Sequence, residues 1–357
     1  MALARRGPGS AERVMVKAVM WMQRRWKVLV GCGLFITVML GWHALMQAHG
    51  TVGLQWVYTH TLPYPGPAFD PPSTFSRKFR LVVSLSTRPD RMTELIPTLR
   101  SIIEQTDPAD AIYINVPLGV NKRSGVAYTI PDSLRRLPGV TILRCSDVGP
   151  LTKLLPALEY EDDPSTVVVT IDDDKIYPSS LLRTLAWHVS RTSNTVVGVC
   201  GWSLLWFPDH WISIYVPYFM RPGGGVFVDI LQGVCGIAYT RGYSNTAELR
   251  DVPKPCFTID DVWVSGYLAT HGISRAIIST RLDPDERPDL TAKSSKWALS
   301  STNSKNLDVY DLCYDAVSER FGHWERIREY QDGAPVPTQR ANVTLPIPYD
   351  AGVYPEP

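Results

Sequence analysis

Between about residues 78 and 330, apolar β-branched runs alternate with stretches of helical period. "LVVSLS" (81–86), "AIYINV" (111–116), "VTILRC" (140–145), "TVVVTI" (166–171) and "TVVGVC" (195–200) predict strands. "PDRMTELIPTLRSIIEQ", "GPLTKLLPALEYE" and "PSSLLRTLAWHVSRT", set between several of them, predict helices. Strand–helix alternation of this kind predicts an α/β body with a mostly parallel central sheet flanked by helices. Ligands of such sheets bind at the carboxyl ends of the strands.

A different pattern occupies the amino end. Arg5, Arg6, Arg13, Lys17, Arg24, Arg25 and Lys27 precede the apolar run "VLVGCGLFITVMLGWHALM" (28–46), and no further lysine or arginine appears before Arg77. The length suits a membrane-spanning helix and the charge asymmetry suits a cytosolic start, so the run reads as an uncleaved signal anchor behind a cytosolic tail of residues 1–27. A cleaved signal peptide shares the basic-then-apolar order but has a shorter core and preface. A buried helix of a soluble domain leaves the charge asymmetry unexplained. Residues 47–77 include "TLPYPGPAFDPPSTFS", whose prolines predict an extended stem. The body is then 78–330, and the proline-rich 331–357 reads as a tail that wraps the body or stays disordered.

Composition narrows the partners. With 36 basic against 35 acidic residues the net charge is +1, which supplies no whole-protein field for nucleic acid. Charge-dependent function must be local.

The sharpest local feature is "TIDDDKIYP" (170–178), where three aspartates close a strand. In an extended segment Asp172 and Asp174 leave one side while Asp173 points away. Paired carboxylates suit a hard cation, Mn²⁺ or Mg²⁺, completed by water and substrate phosphates. An acidic surface turn is the plain alternative; the strand leading in and the helix leading out favour a site. "STRPDR" puts Ser86, Thr87, Arg88 and Arg91 at the same sheet edge, and "SDVGPLTK" adds Lys153. Taken singly, these residues also fit helix caps and solvated charges.

In order, "STRPDR", "GPLTKLLPAL", "TIDDDKIYP", "GVCGIAYTR" and "IDDVWVSGYLATHGI" resemble nucleotide-sugar-dependent glycosyltransferases of the GT-A fold, in the family-2-like and exostosin-like neighbourhood. The resemblance spans roughly residues 80–280. It implies a Rossmann-like GT-A body and a nucleotide-sugar donor contacted by Thr87, Arg88, Asp172 and Asp173, to which Arg91 and Lys153 are added as donor contacts by their place at the same sheet edge. It also implies a cation on Asp172 and Asp174, with the 233–236 segment lining the acceptor side. With the anchor it implies a single-pass type II protein of the Golgi or endoplasmic reticulum membrane, acting in the lumen on a glycan, glycoprotein or glycolipid.

Asp260 and Asp261 are implied as the acidic pair that supplies the base of an inverting enzyme, Asp261 ahead of Asp260. The chemistry asks for one, because an acceptor hydroxyl is a poor nucleophile until a carboxylate takes its proton. The same stretch fits a capping box, with Thr258 as cap and Asp261 three residues on. His323 in "ERFGHWERI" is a candidate third metal ligand, though a lone histidine is more often structural. Outside the run at 28–46 lie Cys145, Cys200, Cys235, Cys256 and Cys313. They allow at most two disulfides and show no zinc spacing. The sequon at Asn342 would accept a glycan in an oxidising compartment. Two rivals remain: a phosphatase of the haloacid-dehalogenase type, whose nucleophile motif also follows a strand, and a membrane-tethered cation-dependent lectin. The first normally carries its motif on its first strand; the second leaves the basic edge unexplained.

Overall fold

The computed structural model describes residues 70–122, 124–207, 210–215, 224–279, 282–287, 308–321 and 354–355. The chain divides into two compact units, 1–59 and 60–357, and every described residue belongs to the second. The predicted span 28–46, the stem up to residue 69, the sequon and His323 lie outside the described residues. Among the described residues no helix is long and apolar enough to cross a membrane.

The strands are β1 Leu81–Ser86, β2 Ala111–Pro117, β3 Val140–Cys145, β4 Val167–Thr170, β5 Lys175–Ile176, β6 Thr195–Phe207, β7 His210–Tyr215, β8 Gly225–Phe227, β9 Ile230–Thr240, β10 Ser274–Ile278, β11 Asp285–Glu286 and β12 Tyr354–Pro355. The helices are α1 Ile96–Ile103, α2 Asp132–Arg135, α3 Leu155–Tyr160, α4 Leu181–Arg191, α5 Thr246–Arg250, α6 Asp260–Thr270 and α7 Asp308–Phe321.

Ten strands form one sheet in the order β12-β3-β2-β1-β4-β9-β6-β10-β8, with β7 hung on β6; β5 and β11 form a separate ribbon. The expectation of a mostly parallel sheet is corrected. Strands β3, β2, β1 and β4 run parallel, but β9 joins antiparallel to both β4 and β6, making the sheet mixed. The parallel half reads as continuous apolar runs because both faces are covered, and Leu81, Val82, Val83, Val168 and Val169 have no exposure. Leu95, Leu99, Leu181 and Leu185 pack onto its core.

Two predicted helices are shorter than their periodicity. The stretch after β1 is a 3₁₀ turn over Pro89–Glu94 and then α1; the stretch after β3 is a 3₁₀ turn over Gly149–Lys153 and then α3. Pro97 and Pro156 each sit at the first turn of the following helix, where a missing N–H is tolerated, so each starts a new helix.

The pairing of β9 shapes the site. Its register with β4 ends at Thr170↔Ile237, so residues 230–236 run on past the carboxyl end of β4. On the other side Gly198 pairs Ile237 and Cys200 pairs Gln232. Val199 alone therefore lies opposite the four residues 233–236, and β9 bulges there. Gly236, at φ +103°, makes the bulge possible. A disulfide between Cys200 and Cys235 pins it. A second, Cys256–Cys313, ties the turn before α6 to α7, and among the described residues Cys145 is a buried free thiol. Gly266 of α6 lets α7 approach so closely that an added Cβ would lie 2.3 Å from Val317 Cγ1.

Candidate active site

A cleft of about 420 Å³ opens at the carboxyl ends of β1, β3 and β4. Its walls include Thr87, Arg88, Arg91, Lys153, Asp172, Asp173, Asp174, Asp260 and Asp261. Every described residue singled out from the sequence for donor, metal or base is thus brought to one place.

Asp173 points away from its two neighbours. It is buried, accepts a 2.5 Å hydrogen bond from Thr87 Oγ1 and pairs with Arg91 Nη1 at 2.6 Å. Thr98 Oγ1 donates to its backbone carbonyl at 3.0 Å. Burial pushes the Asp173 carboxyl above its ordinary range, against the pull of Arg91. Thr87, Arg91 and Asp173, expected as donor contacts, therefore also hold the acidic loop from beneath. Arg88 pairs with Asp90.

Asp172 and Asp174 are more open, their side chains 31% and 28% exposed. Asp174 Oδ2 accepts from Arg91 Nη1 at 3.1 Å and Asp172 Oδ1 from Lys153 Nζ at 3.1 Å. The second oxygen of each takes no hydrogen bond among the described residues, leaving one open oxygen per carboxylate on the cleft wall. The cleft walls hold six carboxylates (147, 172, 173, 174, 260, 261) against five cations (Arg88, Arg91, Lys122, Lys153, Lys175), a formal surplus of one negative charge. Two open carboxylate oxygens on one cleft wall fit a hard divalent ion. The cysteines are already paired, which removes Cys200 and Cys235 as ligands beside Asp283.

The predicted capping box does not form. The N-cap of α6 is Ile259, with no side-chain cap, so Thr258 is one residue too early. Asp261 Oδ1 instead accepts from the backbone N–H of Gly233, in the β9 bulge, at 3.1 Å. Burial, with the charge of Asp260 beside it, pushes the Asp261 carboxyl up to about 7. Lys153 Nζ also lies 3.3 Å from Asp260 Oδ2. Burial alone would lower the pKa of this ammonium, but Asp172, Asp260 and Asp261 together hold it well above its ordinary value.

Two residues here had no individual role in the sequence reading, which placed Gly233 only within the 233–236 segment implied to line the acceptor side and did not single out Tyr177. Gly233 matters for its missing side chain, since a Cβ would sit 2.6 Å from Lys153 Nζ and 3.2 Å from Asp261 Oδ1. The hydroxyl of buried Tyr177 accepts from the Asp172 N–H at 2.8 Å and donates to the Val234 carbonyl at 2.9 Å. It ties the acidic loop to the bulge.

No protein-family model matches the chain, and no curated protein matches it. Among solved structures it is similar to GalNAc-T7 with UDP, GalNAc and Mn²⁺, at 12% identity over 56% of this chain and 42% of that one, TM-score 0.43. It is also similar to the mannosyltransferase PcManGT from Pyrobaculum calidifontis in complex with GDP-Man and Mn²⁺ (17% identity, 82% and 87%, TM-score 0.43). A third is S. aureus TarS 1–349 in complex with UDP (14%, 58% and 60%, TM-score 0.37). The match spans less than half of the first of these chains. Similarity at this level assigns neither donor nor acceptor.

Proposed function

We propose that the chain is a divalent-metal-dependent, inverting glycosyltransferase of GT-A type that moves a sugar from a nucleotide-diphosphate sugar to an acceptor hydroxyl. One observation carries this reading: a half-buried carboxylate with a raised pKa, Asp261, shares a cleft with the two open carboxylate oxygens of Asp172 and Asp174. A pKa near neutrality is what a general base needs at physiological pH. The open oxygens suit the ion that accompanies a diphosphate leaving group.

In this mechanism Asp172 and Asp174 would hold Mn²⁺ or Mg²⁺, an ion that would supply charge stabilisation to a diphosphate leaving group. Thr87 and Arg88 lie toward the nucleoside. Gly233 N–H occupies Asp261 Oδ1 and so fixes the carboxylate's orientation. Its Oδ2, which takes no hydrogen bond among the described residues, receives the acceptor's proton. Asp260 stays close enough to keep that oxygen basic.

The same reading makes residues 28–46 the anchor of a type II protein whose body faces the Golgi or endoplasmic reticulum lumen. Two disulfides suit an oxidising compartment. The acceptor is then a glycan, glycoprotein or glycolipid. Incubating the full chain in detergent with a panel of nucleotide sugars and Mn²⁺ tests it. A transferase releases sugar and nucleoside diphosphate, a phosphatase releases inorganic phosphate, and a lectin releases neither. Only the first outcome sustains the proposal.

A further inference from the structure

Lys153 stands between the two halves of the cleft. Its main chain is fixed: the carbonyl accepts from Ser84 Oγ at 2.6 Å and from Asn115 Nδ2 at 3.4 Å, both side chains fully buried. Its side chain, 13% exposed, carries the ammonium to Asp172 at 3.1 Å and Asp260 at 3.3 Å. Gly233 clears the space it occupies. A cation is thus already seated on one of the two carboxylates assigned to the divalent ion. Because the backbone is anchored, an ammonium that leaves Asp172 has Asp260 within reach.

We infer that Lys153 is the site's internal counter-ion. It competes with the divalent ion for Asp172, so that the metal binds weakly to the free protein and firmly only together with the donor diphosphate, whose negative charge offsets the ammonium. This rests on the glycosyltransferase reading and departs from the expectation that Lys153 is simply a phosphate ligand. The two roles give different results with metal alone. Removing a phosphate ligand leaves metal affinity unchanged and weakens the nucleotide. Removing a counter-ion a few ångströms from a divalent cation strengthens metal binding, by at least about tenfold at an effective dielectric near 20.

The experiment measures Mn²⁺ affinity of the full chain in detergent by the electron paramagnetic resonance of free Mn²⁺, without nucleotide and with UDP or GDP. Lys153→Met is expected to bind Mn²⁺ at least about tenfold tighter than wild type without nucleotide, and to gain less from adding nucleotide. Lys153→Gln, which keeps a hydrogen-bond donor for the carboxylates, is expected to do the same and stands in if the methionine variant does not fold. Lys78→Met, at an exposed lysine, is expected to match wild type. Unchanged or weaker Mn²⁺ binding in both Lys153 variants overturns the inference. A wild-type protein whose Mn²⁺ affinity does not rise with either nucleotide overturns it together with the glycosyltransferase reading, which separates the two failures.

Discussion

The backbone N–H of Gly233 meets Asp261 Oδ1 at 3.1 Å, joining a bulged strand to the first turn of a helix nearly thirty residues away in sequence. Asp261 is therefore oriented by another element rather than spent on its own helix terminus. If it is the base, Asp261→Asn is expected to lower kcat by at least ~10²-fold while donor binding stays near normal. Thermal denaturation should show little change, since asparagine can still accept from Gly233. An unaltered kcat would return Asp261 to a structural role.

The raised pKa of Asp261 sets the direction of the pH dependence. A base must be deprotonated, so kcat/KM is expected to rise with pH through about 7. Asp260 contributes to that raised value by like-charge repulsion, so Asp260→Asn is expected to move the acid limb to lower pH. A limb that stays in place would show that burial and the remaining charges, Asp172 among them, set it without Asp260.

At Asp174 the prediction concerns binding. Asp174→Asn removes one open carboxylate from the cation pair, and metal-dependent donor binding is expected to be lost while the fold persists. In wild type, Mn²⁺ plus a nucleoside diphosphate should raise the melting temperature more than the sum of the two alone. Strictly additive shifts, or full activity in the variant at saturating Mn²⁺, would remove Asp174 from the site.

Much of the parallel half was legible. The first four strands are short runs rich in Val, Ile and Leu, as a sheet covered on both faces favours, and all four lie within a residue of where the pattern put them. The acidic loop was legible because carboxylates that close an apolar strand stand out. By contrast, β9 went unmarked as a strand because Gly233 and Gly236 interrupt its alternation; those glycines exist for the bulge, which is a tertiary feature. Thr258 misled because a capping box is defined by spacing, and the chain turns into α6 one residue later, at Ile259. Tyr177 and Gly233 act through partners distant in sequence, which no local pattern encodes.

Gly266 offers a stability test remote from the cleft. An added methyl would meet Val317 Cγ1 at 2.3 Å, so Gly266→Ala is expected to destabilise the body by about 1–3 kcal/mol through overpacking. Adding Val317→Ala should recover part of that loss. No recovery in denaturant titrations would mean that α6 and α7 are not in such close contact.

His188 supplies a pH dependence of stability. It is 1% exposed, and burial lowers its pKa from 6.5 to about 4. The unfolded chain therefore binds a proton between those values that the folded chain refuses. Its contribution is fully present above pH ~6.5 and is lost as pH falls toward ~4, up to about 3 kcal/mol. His188→Gln should flatten the slope in that window, and an unchanged slope would assign it to other groups.

The change from parallel to antiparallel pairing between β4 and β9 also divides the chain along its length. Thr87, Lys153, Asp172 and Asp174 all precede residue 178, while Gly233, Asp260 and Asp261 all follow residue 230. Under the proposed function, a single genetic crossover in the intervening α4–β6 stretch would exchange the segment that carries Asp260 and Asp261 and leave the one that carries Asp172 and Asp174 intact, so acceptor and donor handling could be recombined as separate cassettes.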